Sequence, residues 1–124
     1  MIFPNARVLV VDDSVMNLKV AKGLLAPYEM TVDLAGGAKE CLSLVAENHY
    51  DLILLDHMMP EMDGIETLNR MKALEQSMNR GTPVVALTAN DMNNGKEFYL
   101  DAGFNGYLEK PVLPQKLEEM IQIL

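Results

Sequence analysis

The sequence predicts an α/β domain in which a parallel sheet is covered by helices on both faces. Three observations predict it. Apolar runs without alternation, Val8-Leu9-Val10-Val11, Leu52-Ile53-Leu54-Leu55 and Val84-Val85-Ala86-Leu87, have the character of strands buried on both faces. Stretches of helical periodicity separate these runs, which gives repeated βα units. The runs end on chemically capable residues: Asp12 and Asp13 after the first, Asp56 after the next, Thr88 after the third, and Lys110-Pro111 just past Gly106-Tyr107-Leu108.

The elements follow in order. Strand 8–11 leads to Ser14, a side chain suited to cap a helix over 15–26 that Pro27 stops. A second strand is expected over 30–34. Gly36-Gly37 then breaks the chain before a helix over 38–48. Strand 52–55 ends at Asp56, and the loop His57-Met58-Met59-Pro60-Glu61-Met62-Asp63-Gly64 precedes a helix over 65–74. The polar stretch 75–82 leads to strand 84–87. A helix over 91–102 is opposed at its start by Asn93, Asn94 and Gly95, which are poor helix formers, and is stopped by Gly103. Strand 106–108 and a helix opened by Pro114 close the chain. Five βα units without repeat or linker describe one three-layer domain over residues 1–124 and leave no residues for an output module.

Composition narrows the function. The chain has 124 residues, 49% hydrophobic and 23% charged, which suits one folded domain with a substantial core. A formal charge of −8 repels phosphate backbones and argues against nucleic-acid contact by this domain. Cys41 is the only cysteine and lies in an apolar helical pattern, so it reads as a buried small hydrophobe in a reducing cytoplasm. No apolar run approaches the roughly 18 residues needed to cross a bilayer, so no membrane insertion is expected.

In an open parallel sheet, ligands bind at the carboxyl ends of the strands. Three acids, a hydroxyl and an ammonium therefore converge on one crevice, where packed carboxylates call for a divalent cation and the lysine can neutralise an incoming anion. With these residues in this order the chain resembles, over essentially its whole length, the receiver domains of bacterial two-component signalling. Val11-Asp12-Asp13-Ser14 with Asn17, and Leu87-Thr88-Ala89-Asn90, are most similar to receivers of hybrid histidine kinases. The apolar ending Met120-Ile121-Gln122-Ile123-Leu124 also suits a piece of a longer protein.

The resemblance implies a flavodoxin-like (βα)5 three-layer sandwich with sheet order 2-1-3-4-5. It implies that Asp56 accepts a phosphoryl group from a phosphohistidine donor, held by a histidine kinase or a histidine phosphotransfer domain. Asp12, Asp13, Asp56 and the Met58 carbonyl would hold Mg²⁺, while Lys110 and Thr88 would serve the phosphoryl oxygens. It further implies that Thr88 moves toward the new group, that Tyr107 turns inward behind it, and that the Lys110-Pro111 bond is cis. The domain would thus catalyse its own phosphorylation and dephosphorylation while acting chiefly as a signalling switch. Weak self-association is left open.

The chemistry also stands on the residues alone, since a carboxylate is a competent nucleophile toward phosphorus, and catalysis of phosphoryl transfer is mainly positioning and charge stabilisation. Taken singly, each residue has an ordinary reading: Asp12 or Asp13 as helix N-terminal acids, Thr88 as a strand end, Lys110 as a solvated lysine, Tyr107 as packing. The resemblance also implies that the residues two after Asp56 and two after Thr88, here Met58 and Asn90, help place a hydrolytic water. Met58 offers that water no side-chain hydrogen bond, which predicts a comparatively long-lived acyl phosphate, while Asn90 is the residue that could orient the water by itself. His57 and His49 match no common zinc spacing. Leu18, Ala21, Leu24 and Leu25 share one arc of the first helix, leaving Val15 and Met16 toward solvent beside the crevice as a docking surface. The rival reading is a phosphatase of the haloacid-dehalogenase type, which also uses an aspartate nucleophile but needs a second acid where Met58 stands. A nucleotide binder lacks its glycine-rich phosphate loop.

Overall fold

The computed structural model describes residues 2–60, 62–73, 79, 81–88, 96–110 and 112–122. Five strands, β1 (Arg7–Val11), β2 (Thr31–Ala35), β3 (Leu52–Asp56), β4 (Val84–Thr88) and β5 (Gly106–Glu109), form one sheet. All neighbours pair in parallel, in the order β2-β1-β3-β4-β5. The helices are α1 (Val15–Leu25), α2 (Ala38–Glu47), α3 (Gly64–Lys72), α4 (Lys96–Ala102) and α5 (Pro114–Ile121).

Strand periodicity splits the core in two. Val8, Val10, Leu52, Leu54, Val85, Leu87 and Leu108 point to one face, where they meet Leu18, Ala21 and Leu25 of α1 and Leu117 and Ile121 of α5. Leu9, Val11, Ile53, Leu55, Val84 and Ala86 point to the other, against Cys41 and Val45 of α2, Leu68 and Met71 of α3, and Tyr99 of α4. Residues facing helices on both sides have no reason to alternate, which is why β3 and β4 read as unbroken apolar runs. Edge strand β2 is only partly covered.

The expected fold class and all five βα units are present, and the boundaries differ in informative places. Ser14 caps α1 as expected, its side chain accepting from the Asn17 N–H at 3.3 Å. After α1, a 3-10 turn at Ala26–Tyr28 and a left-handed Glu29 (φ 59°) use up the chain that the sequence assigned to a strand start, so β2 begins at Thr31 rather than residue 30. Strands β3, β4 and β5 each run one residue further than expected, through Asp56, Thr88 and Glu109. Those residues remain in the hydrogen-bond ladder, pairing Asp56 with Leu87 and Thr88 with Glu109. Gly103, at φ 109°, ends α4 in a backbone region that a side chain would strain. The expected start of that helix over 91–95, together with Leu74, Ala89, Asn90, Pro111, Ile123 and Leu124, lies outside the described residues. The cis peptide expected at Lys110-Pro111 is therefore untested.

Because all strands run the same way, their carboxyl ends share one edge. The connections leave β1 and β3 in opposite directions, and the crevice opens there.

Candidate functional site

Four of the expected residues are placed by the sheet itself. Asp12 follows β1: its N–H donates to the Ala35 carbonyl at 3.1 Å and its Oδ1 accepts from the Ser14 N–H at 2.9 Å. Asp56 closes β3, and its Oδ1 accepts from the Met58 N–H at 3.3 Å. Thr88 closes β4 and is buried, and its carbonyl accepts from the Lys110 N–H at 2.7 Å, which sets the base of the lysine. Side chains anchored on strand ends are held more tightly than side chains on free loops.

The loop after β3 is held as firmly. The Gly64 N–H donates to the His57 carbonyl at 2.8 Å, and a Cβ on Gly64 would run into the Asp56 carbonyl and come within 2.9 Å of His57 Cα. Only glycine lets α3 begin this close to the strand that carries Asp56. Asp63 caps the helix by accepting from the Glu66 N–H at 2.9 Å.

The charges are concentrated and buried. Lys110 Nζ lies 2.8 Å from Asp56 Oδ1 and 3.1 Å from Asp12 Oδ2. Asp12 and Asp56 are each 1% exposed, whereas Asp13 is exposed. Burial, and then the neighbouring Asp12 charge, push the Asp56 carboxyl up to about 6 against the opposing pull of Lys110. Burial alone would lower the Lys110 ammonium, but hydrogen bonding and charge from Asp56 and Asp12 outweigh it and raise it.

One ammonium does not satisfy this cluster. Oxygens of Asp12, Asp13 and Asp56 all lie within 4.8 Å of one another. Asp56 Oδ2 and Asp12 Oδ2 are buried without a hydrogen-bond partner, the latter facing Lys110 as an ion pair but out of hydrogen-bond alignment. Buried carboxylate oxygens left open beside a third acid fit a divalent cation, and an all-oxygen donor set fits a hard one. The histidines stay apart from this set: His57 Nδ1 is 3.0 Å from the Tyr99 hydroxyl, and His49 is exposed ahead of β3.

Val15 (65% exposed) and Met16 (74%) follow Asp13 by two and three residues, Met58 (67%) follows Asp56 by two and Leu113 (58%) follows Lys110 by three, which puts exposed apolar side chains on the rim of the crevice. Met58 directs its N–H to Asp56 while its side chain stays in solvent. Tyr107 is half-buried and stacks on Tyr99, with ring centroids 5.8 Å apart and planes 22° apart. Sequence reasoning missed the His57–Tyr99 pair and the close approach at Gly64. The glycine after Asp63 was a usable signal, since an N-cap followed by glycine marks a helix start with no room for a side chain.

A family model for the response regulator receiver domain matches residues 8–122. The chain is 34% identical over 91% of its length to the autoinducer 2 sensor kinase/phosphatase LuxQ of Vibrio parahaemolyticus, and it spans 13% of that protein. The receiver domain of sensor histidine kinase PA1611 from Pseudomonas aeruginosa, solved with a magnesium ion in its active-site cleft, superposes with a TM-score of 0.84. The two are 30% identical, with 96% of each chain covered. The receiver domain of Saccharomyces cerevisiae Ssk1, solved in complex with the histidine phosphotransfer protein Ypd1, superposes at 0.86. It is 28% identical, with 98% of this chain and 90% of that one covered.

Proposed function

The chain belongs to the response regulator receiver family, and from that premise we propose that Asp56 accepts a phosphoryl group from a phosphohistidine in a Mg²⁺-dependent reaction. The single observation that carries this reading is the pairing of a buried, strand-anchored carboxylate with Lys110 at 2.8 Å and two further acids. An Asp56 oxygen forms the new P–O bond as the P–N bond to the donor imidazole breaks, and the electron pair leaves with the imidazole.

Asp12, Asp13 and Asp56, with the Met58 carbonyl, are the residues that would hold Mg²⁺. When bound, it supplies positive charge against the acids and the phosphoryl oxygens. The chain's own residues do the rest. The sheet ladder fixes the direction of Asp56, and burial excludes water from it. Lys110 releases Asp56 to the incoming group and then holds a phosphoryl oxygen, with the Thr88 hydroxyl as a second donor. The haloacid-dehalogenase alternative gains nothing, because the exposed Met58 side chain occupies the place of the acid it requires.

The donor is a histidine kinase or a histidine phosphotransfer domain, as the yeast complex illustrates for its own receiver. Among the described residues no helix is long and apolar enough to cross a membrane, and phosphohistidine relay places the domain in the cytoplasm. The chain spans only 13% of the LuxQ relative. Intact-mass measurement after incubation with acetyl phosphate and Mg²⁺ tests the site. The wild-type chain gains one phosphoryl group and Asp56→Asn gains none. Equal labelling of the two overturns the assignment.

A further inference from the structure

A switch needs a mechanical link from the reacting carboxylate to the element that moves. His57, immediately after Asp56, is held by the backbone on two sides: its N–H donates to the Leu87 carbonyl at 3.0 Å and its carbonyl accepts from Gly64 at 2.8 Å. Its side chain is 9% exposed and reaches 42 residues along the chain to Tyr99 of α4, Nδ1 lying 3.0 Å from the hydroxyl. In the Nε2–H tautomer the hydroxyl donates. Tyr99 is 2% exposed, meets the imidazole edge-on at 5.3 Å, and lies near-parallel to Tyr107 on its other contact. Phe98 and Phe104 pack edge-on against the same ring.

A buried imidazole and a buried phenol satisfy each other in only one relative placement, and displacing either leaves a polar atom without that partner. Apolar side chains would fill the space and tolerate sliding, whereas this pair does not. The bond therefore ties α4 to the end of β3, and the Tyr99 ring in turn sets the surface on which Tyr107 rests.

We propose that His57 is a positioning residue for the phosphorylation switch: through its hydrogen bond to Tyr99 it fixes α4 and the resting orientation of Tyr107. The inference rests on Asp56 being the phosphoacceptor. A phosphoryl group puts nearly two charges and three acceptor oxygens in place of the single carboxylate charge one residue away, and any displacement of the Asp56–His57 backbone reaches Tyr107 through Tyr99.

The test uses the full chain with ¹³C-labelled tyrosine, with and without beryllofluoride and Mg²⁺, in wild type, Tyr99→Phe, His57→Leu and His57→Asn. Losing one hydrogen bond moves a two-state balance roughly fivefold. Tyr99→Phe and His57→Leu therefore shift the resting Tyr107 ring signals toward their beryllofluoride positions. His57→Asn, whose amide lies near the place of Nδ1, returns them toward wild type, a rescue that a merely space-filling role would not give. Tyr99→Phe keeps the ring, so it reports even where His57→Leu folds poorly. Unmoved Tyr107 signals in Tyr99→Phe, or His57→Asn as displaced as His57→Leu, overturn the positioning role. Acetyl phosphate labelling of wild-type Asp56 is followed in parallel. If labelling is intact, either result sinks this inference alone, whereas its absence sinks the phosphoacceptor reading and the inference with it.

Discussion

Asp56 is costly to keep ionised, and its cost has a sign that can be measured. Its carboxyl is raised from the ordinary value of 3.8 to about 6 in the folded chain, so between these values the native state binds more protons than the unfolded one. Stability then falls as pH rises through that window, and the penalty, on the order of 3 kcal/mol, is fully present above about pH 6 and absent below about pH 4. In the presence of a chelator, Asp56→Asn should therefore melt higher than wild type at pH 7, and the advantage should vanish toward pH 4. A difference in melting temperature that does not change with pH would show that charge burial is not its source. Cys41 makes the opposite kind of prediction. Burial pushes its thiol up to about 12, so at neutral pH it stays protonated, and a thiol reagent should label it only after denaturant is added. Rapid native labelling would contradict the packed interior around α2. The acids and the lysine were legible in the sequence because each ends or follows an apolar run. His57 was not, because its partner Tyr99 lies 42 residues away and each residue alone has an ordinary reading.

At the scale of elements, the ends of the sheet are stabilised by different devices. The carboxyl edge is held by strand pairing and capped helices, whereas the opposite edge depends on Asn79. Its Nδ2 donates to the carbonyls of Val45 (2.9 Å) and Asn48 (2.8 Å), and its Oδ1 accepts from the Tyr50 N–H at 2.6 Å. One side chain thus closes the end of α2, the entry to β3 and the approach to β4. Asn79→Ala should lower the unfolding free energy in urea by about 2 to 3 kcal/mol, since several part-buried backbone groups lose a partner together. Labelling of Asp56 should stay within roughly twofold of wild type, because the sheet separates the two edges. A large loss of labelling without loss of stability would refute this division. Nothing in the sequence marked Asn79, which sits in a polar stretch that reads as a plain connection. Central strands were legible because burial on both faces removes alternation, and edge strand β2 was misplaced by one residue because Glu29 takes a left-handed conformation that its identity does not advertise.

For the whole molecule, the proposed function divides between the two faces of the sheet. Helix α1 packs with α5 on one face, and its first turn brings Val15 and Met16 to the rim of the acidic crevice. Helix α4 packs on the other face, where Tyr99 joins His57 and Tyr107. A phosphohistidine must approach Asp56 from solvent, and the exposed apolar rim is the surface that a partner protein can desolvate in a chain whose formal charge is −8. On the proposed function, input belongs to the α1 side and readout to the α4 side, with the end of β3 between them. Met16→Glu places a charge on that rim. Losing one anchoring contact costs about 2 kcal/mol, so transfer from the cognate phosphohistidine protein should slow by roughly tenfold or more. Phosphorylation by acetyl phosphate, which needs no docking, should be unchanged, and so should the Tyr107 response to beryllofluoride. Stopped transfer assays with both donors decide it. If the two rates fall together, Met16 affects the site itself and the separation of input from readout across the sheet is wrong.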